Sequence, residues 1–184
     1  MRTSTLAVVL VALVGALGFL NSPVPVLAQP GIIKVLNFFM HDHLLTATNA
    51  SAFIIVQPLA SGANQSSFGT LVVFDDSITV SPDASSMEIG RGRGFYLFAE
   101  NTIDTPGVEY SWTAEFTDGS GFSPGSTLVF KGLDRVRDPV REIAVVGGTG
   151  DFRMARGWAV VTTYSLIGIG DSILNITAYY QYGF

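Results

Sequence analysis

Asp42 is a carboxyl in a sequence context that favours acid chemistry. Side chains alternate along a strand, so residues 35–45 place Asp42 on the same face as Phe38, Met40 and Leu44. A carboxyl among apolar groups loses hydration, which raises its pKa unless a cation pairs with it. A carboxyl that stays neutral near pH 7 can donate a proton to a bound substrate. The pattern leaves two alternatives open: a functional acid, or a hydrated carboxylate at a barrel end.

Arg141 is the second ionisable group on an apolar face, which it shares with Ile143 and Val145. An inward-facing arginine requires an anionic partner, because an unpaired buried charge is costly. Asp134 lies seven residues earlier, and Asp138 is an alternative partner. The residues leave a structural ion pair and a functional pair equally open.

Other residue types argue against several classes of site. His41 and His43 share one strand face while Asp42 lies on the other, so the three cannot converge on a metal, and the sequence has no cysteine. The glycine-rich run VVGGTGDF at 145–152 lacks the third glycine of a dinucleotide site, and a strand pattern follows it. We therefore predict no metal and no cofactor, and we interpret the glycine run as a corner between strands.

Composition and the N-terminus predict a secreted, single-domain protein. The chain has 184 residues, 48% of them hydrophobic, and a net charge of −5, which argues against a nucleic-acid partner. Residues 1–28 resemble a signal peptide, which leaves a mature domain at 29–184 with no membrane-spanning segment. Sequons at Asn49, Asn64 and Asn175 agree with an extracellular glycoprotein. Without cysteines, a large core or oligomer contacts must stabilise the fold.

The remaining sequence is a series of eight or nine short strand patterns with turn signals between them. This spacing predicts an all-β protein, either an antiparallel barrel or a sandwich. We favour the barrel because polar residues interrupt the apolar faces, and a sandwich core would leave them without partners. Asp75 and Asp76 are predicted to form a turn, and the RGRG sequence at 91–94 is predicted to form a bulge or bend.

Several motifs spread over the mature chain resemble those of the plant dirigent family. They are FFMHD at 38–42, FGTLVVFDD at 68–76 with IT at 78–79, IGRGRGFY at 89–96, GSTL at 125–128, GLD at 132–134 and VVGGTGDFRMARG at 145–157. The last of these runs is highly specific for that family.

The resemblance implies a fold and a function. The fold would be an eight-stranded antiparallel β-barrel, of the type shared with allene oxide cyclases, usually assembled as a homotrimer in the apoplast or cell wall. The function would be regio- and stereoselective coupling of two phenolic radicals derived from monolignols such as coniferyl alcohol, in lignan and phenylpropanoid biosynthesis. An external oxidase or peroxidase would make the radicals, and the protein would need no cofactor.

The resemblance also implies roles for particular residues. Asp42 and Asp134 match the family's pocket acids, Arg141 matches its pocket arginine and Tyr96 matches a pocket tyrosine. Phe38, Phe98 and Leu166 are the further expected substrate-binding residues. By the residues alone, same-face aromatics such as Tyr96 and Phe98 are more often core than ligand platform.

The sequence departs from the family pattern at several places, and these departures keep other functions open. A frequent cysteine pair is absent, Ser77 replaces a proline, Phe98 replaces a tyrosine, Leu166 replaces an aromatic residue, and Trp158 replaces a small aliphatic one. One alternative is a dehydratase or cyclase that forms a quinone methide from an alcohol in the same barrel. Another is a cell-wall defence protein with a degenerate pocket.

Overall fold

The structure is a computed structural model that describes residues 31–44, 50–59, 62–101, 107–167 and 170–182. These residues form nine strands and one short 3-10 helix. The strands are β1 Lys34–His43, β2 Ala52–Val56, β3 Leu71–Thr79, β4 Glu88–Phe98, β5 Gly107–Phe116, β6 Thr127–Arg135, β7 Arg141–Thr149, β8 Ala155–Ile167 and β9 Asp171–Tyr182. The described residues include no helix of the length and apolarity that crossing a membrane requires. The predicted signal peptide lies outside the described residues.

Eight of the nine strands close into an antiparallel barrel, which confirms the predicted fold class. Strands β3 to β9 pair in sequence order, and β1 pairs with β9 along its whole length. The barrel closes where β1 also pairs with β3, from Phe39 opposite Thr79 to His41 opposite Ser77. Strand β2 lies outside this ring and pairs with the first half of β3. Closure gives every barrel strand two neighbours, although the closing β1–β3 ladder is only three residue pairs long.

Strict alternation of side chains fills one end of the barrel with a packed aromatic core. Along β5 the inward residues are buried, and Trp112 stacks on Phe130 with ring centroids 4.3 Å apart. Phe38 meets both of these rings edge-on at 6.3 Å. Aromatic rings bury large apolar areas, and stacked and edge-to-face contacts add to that stabilisation. The filled end provides a rigid base for the open end.

The structure overturns two local predictions. Asp75 and Asp76 form no turn: they lie inside β3, opposite Arg93 and Gly92 of β4. Two adjacent aspartates are unfavourable in strands, but here Asp75 pairs with surface arginines while Asp76 is buried. No bulge occurs at 91–94 either, because the register of β4 with β5 is continuous there. Gly94 instead allows close approach, since a Cβ on it would collide with Ser111 and Trp112 of β5.

The predicted corner after β7 is present, although it begins later than expected. Strand β7 continues through Gly147 and Gly148 to Thr149, and the 3-10 helix Gly150–Phe152 follows. Of Gly147, Gly148 and Gly150, only Gly150 has a positive φ, of 58°, which favours glycine. Gly148 is required for a different reason: a Cβ on it would lie 2.5 Å from the carbonyl oxygen of Thr127.

Candidate active site

The open end of the barrel contains a cavity of about 430 Å³. Its lining comes from the ends of β1, β4, β6 and β8 and the starts of β5, β7 and β9, because antiparallel strands bring alternate ends to the same rim. Asp42, Asp134 and Arg141 all line this cavity, and so do Tyr96, Phe98 and Leu166. Residues that are far apart in the sequence are thus brought together around a space large enough for a small organic molecule.

Asp134 and Arg141 form a buried ion pair at one side of the cavity. Arg141 Nε lies 2.9 Å from Asp134 Oδ1, and each side chain is only 4% exposed. The two atoms are close, but the N–H is not aligned for a hydrogen bond. The other arm of the guanidinium is fixed: Nη1 donates to Thr163 Oγ1 at 2.8 Å and to the carbonyl of Val136 at 3.3 Å. These bonds hold a positive charge at the cavity wall.

The pKa of Asp134 results from two opposing causes. Burial raises its pKa above the usual value, and Asp138 adds to that effect, while the Arg141 guanidinium lowers it. Guanidinium remains charged at any ordinary pH, and a neutral Asp134 would leave it without a counter-charge. We therefore assign Asp134 as the ionised partner of the pair at neutral pH.

Asp42 has a different environment from Asp134. It is 8% exposed, and its Oδ1 atom has no hydrogen-bond partner among the described residues. Burial, assisted by the negative charge of Asp171, raises the pKa of Asp42 to about 7. A carboxyl with this pKa is substantially protonated at neutral pH and can act as a general acid. The site thus contains one protonated and one ionised carboxyl, held in those forms by their environments.

An aromatic wall flanks the two carboxyls. Tyr96 lies 5.9 Å from Phe98 and 5.8 Å from Tyr110, measured between ring centroids. Burial raises the pKa of both tyrosines, and the charges of Asp42 and Asp76 contribute. Both phenols therefore stay protonated at physiological pH and can donate hydrogen bonds into the cavity. Such a wall suits a flat aromatic ligand.

Two expected substrate-binding residues occupy different depths. Leu166 lies at the cavity mouth, where its side chain is 68% exposed. Phe38 faces inward as predicted but does not line the cavity; it is fully buried in the aromatic core beneath it. Alternation gives the face of a strand residue but does not give its depth along the barrel axis, which accounts for this difference.

The structure adds residues that sequence reasoning did not single out. Tyr110 lines the cavity beside Tyr96, and its inward position follows from alternation with Trp112. Thr163 positions Arg141, and it lies where the β8–β9 register shifts. Asp76 is fully buried on the inward face of β3, and the FDD motif was the sequence signal for it.

The predicted glycosylation sites lie in different settings. Asn49 is outside the described residues. Asn64 is exposed in the loop between β2 and β3, where its Oδ1 accepts a hydrogen bond from the Ser66 N–H at 2.8 Å. Asn175 lies within β9 on the outer face, and its Oδ1 accepts a hydrogen bond from Asn37 at 2.7 Å. Of the two described sites, Asn64 is the more accessible.

Comparisons with known proteins agree with this architecture. A family model described as "Dirigent-like protein" matches residues 33–181. Pterocarpan synthase 1 of Glycine max is 38% identical over 142 residues, which cover 76% of this chain and 74% of that protein. A dirigent protein of Sinopodophyllum hexandrum is 37% identical over 142 residues, which cover 73% of this chain and 71% of that protein.

Solved structures give the same result. The pterocarpan synthase dirigent protein PsPTS1 superposes with a TM-score of 0.74 at 30% identity, covering 85% of this chain and 99% of that one. A second pterocarpan synthase dirigent protein, GePTS1, superposes with a TM-score of 0.72 at 33% identity, covering 88% of this chain and 95% of that one.

Proposed function

Given that this chain belongs to the dirigent-like protein family, we propose that its cavity controls how a phenolic quinone methide is formed or closed. The observation that carries this proposal is the pair of carboxyls with different environments at one cavity: Asp42 with a pKa near 7, and Asp134 ionised beside Arg141. Closing a quinone methide with an internal hydroxyl requires a proton at the phenolic oxygen and removal of a proton from the hydroxyl.

The two carboxyls divide this work. Asp42 gives its proton to the quinone methide oxygen while the internal hydroxyl adds to the methide carbon, forming the new C–O bond. The Asp134 carboxylate accepts the proton that the hydroxyl loses, so no net proton is consumed. Arg141 stabilises the negative charge on Asp134 before the step, and the aromatic wall fixes which face of the methide carbon is open.

In the first form of this proposal, the quinone methide arises from two coupled monolignol radicals. An external oxidase or peroxidase removes one electron and one proton from each phenol, and the two radicals join by a new C–C bond. The protein then supplies orientation and acid–base chemistry only. The apolar, aromatic lining formed by Phe98, Val108 and Leu174 supports binding of such phenolic rings.

The second candidate is an oxidant-free dehydration and cyclisation. Here Asp42 protonates the hydroxyl that leaves as water, and the phenol loses its proton to Asp134, which gives the quinone methide. The internal hydroxyl then adds to the methide carbon and gives its proton to the Asp42 carboxylate, while Asp134 returns its proton to the quinone methide oxygen. The net change is loss of one water molecule. Two observations favour this candidate: the pterocarpan synthases among the relatives, and the raised pKa of Asp42, which suits protonation of a leaving hydroxyl.

A two-arm assay distinguishes these candidates. One arm contains coniferyl alcohol and a limiting one-electron oxidant, and the other contains a hydroxylated isoflavanol without oxidant; products are resolved by chiral chromatography. Enantiomeric excess in the first arm, with an unchanged rate of oxidation, supports coupling. Turnover in the second arm supports dehydration. Racemic product in the first arm together with no turnover in the second would contradict the proposal and favour a binding protein with a degenerate pocket.

We further propose a secreted, glycosylated homotrimer. The signal-like residues 1–28 and the exposed Asn64 support secretion and glycosylation. Apolar side chains on the outer face of β1 and β8 support self-association: Tyr164 is 60% exposed, and its ring lies 5.8 Å from that of Phe39. In water, contiguous apolar surface of this kind favours contact with another protein surface.

A further inference from the structure

Asp76 on β3 has no role in the chemistry described above, yet its side chain is completely buried in the barrel. We propose that Asp76 is a positioning residue that forms a carboxyl pair with Asp42, and that the pair holds one shared proton for transfer to the substrate. This inference rests on the proposed function of Asp42 as the acid. It adds a source and a control for the proton that Asp42 donates.

The strand register places the two carboxyls on facing positions. The β1–β3 ladder ends at His41 opposite Ser77, so Asp42 and Asp76 are each the next residue along. Both side chains point into the barrel, because both alternate with buried apolar neighbours. Facing inward residues of adjacent strands lie close enough for their side chains to interact.

Ser51 occupies the point where β1 and β3 separate. Its N–H donates to the carbonyl of His43 at 3.0 Å, and its carbonyl accepts from the N–H of Asp75 at 2.9 Å. Its hydroxyl accepts from the N–H of His43 at 3.1 Å and donates to Asp76 Oδ1 at 2.6 Å. Ser51 thus fixes one oxygen of Asp76 and leaves the other for a second partner.

The unsatisfied atoms indicate what that partner is. Besides Asp134 Oδ1 in the ion pair, three buried carboxyl oxygens have no hydrogen-bond partner among the described residues: Asp76 Oδ2, Asp42 Oδ1 and Asp171 Oδ1. Asp171 lies opposite His43 in the β1–β9 ladder, and its other oxygen is 3.8 Å from His43 Nδ1. The β1–β3 register, by contrast, continues to Asp76 opposite Asp42. Two carboxylates with orphaned oxygens repel each other, whereas a single proton between them converts both orphans into one hydrogen bond. Burial raises the pKa of Asp76 well above its usual value, and Asp42 is the next largest cause.

Other charged groups around the pair set its total proton affinity. Asp171 of β9 adds a negative charge beside Asp42, and Asp75 of β3 adds one near Asp76, while Arg91 of β4 opposes the negative charge of Asp76. Tyr96 and Tyr110 contribute hydroxyls whose own pKa values are raised by both carboxyls, and Tyr110 also by Asp134. These surroundings favour one retained proton on the pair.

A shared proton raises the pH at which Asp42 becomes ionised. Removing that proton would place two negative charges side by side, so the pair loses it only at a higher pH than a single buried carboxyl would. When the substrate oxygen takes the proton, the negative charge that remains is spread over both carboxyls. The site is reset when the proton that Asp134 took from the internal hydroxyl returns to the Asp42–Asp76 pair.

Infrared difference spectroscopy tests the pair without any substrate. The C=O band of protonated carboxyls would be titrated in the mature protein, in Asp42→Asn, in Asp76→Asn and in Asp75→Asn. Asp75 is a matched control because it adjoins Asp76 but points outward, with 52% of its side chain exposed. We expect Asp76→Asn to lower the midpoint of the Asp42 band by about one pH unit or more. We expect Asp75→Asn to lower the midpoint much less, because Asp75 is solvent-exposed and is the last of the causes that act on Asp76. An Asp42 midpoint that Asp76→Asn shifts no more than Asp75→Asn does would overturn the pair.

A second variant gives a shift of opposite sign and covers the case in which Asp76→Asn does not fold. Ser51→Ala removes the hydrogen bond that favours the charged form of Asp76, so the pair should hold its proton to a higher pH. Because Ser51 belongs to the Asn49 sequon, the comparison is made in an Asn49→Gln background. No upward shift in the folded Ser51→Ala protein would overturn the proposal.

These experiments separate the pair from the function on which it rests. A normal chiral product with no change in the Asp42 midpoint would contradict the pair and leave Asp42 as a lone acid. Coupled titration together with racemic product in the first assay arm and no turnover in the second would contradict the proposed function alone.

Discussion

At the scale of single residues, the central feature is the contrast between two carboxyls that sequence reasoning treated alike. Alternation correctly predicted that Asp42 and Arg141 face inward, and burial confirms both positions. Sequence reasoning left Asp134 and Asp138 as alternative partners of Arg141, and in the structure Asp134 Oδ1 lies 2.9 Å from Arg141 Nε. The sequence did not predict the difference in environment between Asp134 and Asp42. That difference depends on strand ends meeting across the barrel, which no local pattern contains.

The raised pKa of Asp42 predicts a specific pH dependence of stability. The folded state binds its proton more tightly than the unfolded state, so the free energy of unfolding falls as the pH rises from about 4 to about 7. Between pH 5 and pH 7 this group alone accounts for roughly 2 kcal/mol. Asp42→Asn should therefore reduce the loss of stability between pH 5 and pH 8, measured as urea midpoints.

Asp75→Asn is the control for that measurement. Hydrogen bonds and charges from Arg91 and Arg93 lower the pKa of Asp75, although burial opposes them, so its effect on the pH dependence has the opposite sign. If Asp42→Asn loses as much stability on alkalinisation as the unmodified protein does, the assigned environment of Asp42 is wrong.

The Asp134–Arg141 pair predicts strong coupling between two substitutions. Removing one partner leaves the other buried and uncompensated, so Asp134→Asn and Arg141→Gln should each lower the free energy of unfolding by roughly 3–5 kcal/mol. The double variant should cost clearly less than the sum, because no lone charge remains. Urea denaturation of all four proteins measures this, and strict additivity would contradict a coupled pair.

At the scale of elements, the barrel depends on close approach of strands at a few glycines. The sequence predicted a glycine corner at 147–150, and the structure contains it. Glycine is required at Gly148 and at Gly150 for different reasons. Gly150 adopts a positive φ, whereas Gly148 lies against Thr127 and Phe152. A sequence marks where chain direction changes but does not reveal which neighbouring strand comes close.

Adjacent glycines on β7 give a matched test of this explanation. Gly148→Ala should destabilise the protein by about 1–3 kcal/mol, because the added Cβ meets the Thr127 carbonyl at 2.5 Å. Gly147→Ala meets only the end of the Arg156 side chain at 3.4 Å and should be tolerated. Thermal unfolding of the two variants makes the comparison, and equal effects would count against close approach as the cause.

Contacts between strands explain why the FDD motif at 74–76 lies in β3 and does not form the predicted turn. Asp75 and Asp76 have low strand propensity, and the pattern therefore predicted a turn. In the barrel, Asp75 contacts Arg91 and Arg93 on the outside, while Asp76 contacts Ser51 on the inside. All three partners come from other strands or loops, so tertiary contacts override the local preference.

At the scale of the whole molecule, periodicity and turn spacing were sufficient for the fold class, and eight strands close as the family resemblance implied. The cavity itself could not be predicted from periodicity, because inward residues fill one end of the barrel and line the other. Phe38 and Asp42 are only four positions apart on one face, yet the first lies in the packed core and the second in the cavity wall.

The proposed homotrimer predicts a molecular mass three times that of the monomer in light scattering. Tyr164→Glu on the outer face of β8 should dissociate it, because a charge replaces an exposed apolar side chain. Phe53→Glu is the control, since Phe53 is also half-exposed but lies on β2, outside the closed barrel. A monomeric mass for the unmodified glycoprotein would contradict the assembly.

We propose that Asp42 supplies the proton for closure of the quinone methide while the aromatic wall determines which face reacts. The most direct test is chiral analysis of the product made by the unmodified protein, by Asp42→Asn and by Asp75→Asn, in whichever assay arm shows selectivity. We predict that Asp42→Asn lowers selective product formation by about 10²-fold or more while Asp75→Asn matches the unmodified protein. Equal enantiomeric excess and rate in Asp42→Asn and the unmodified protein would contradict the claim.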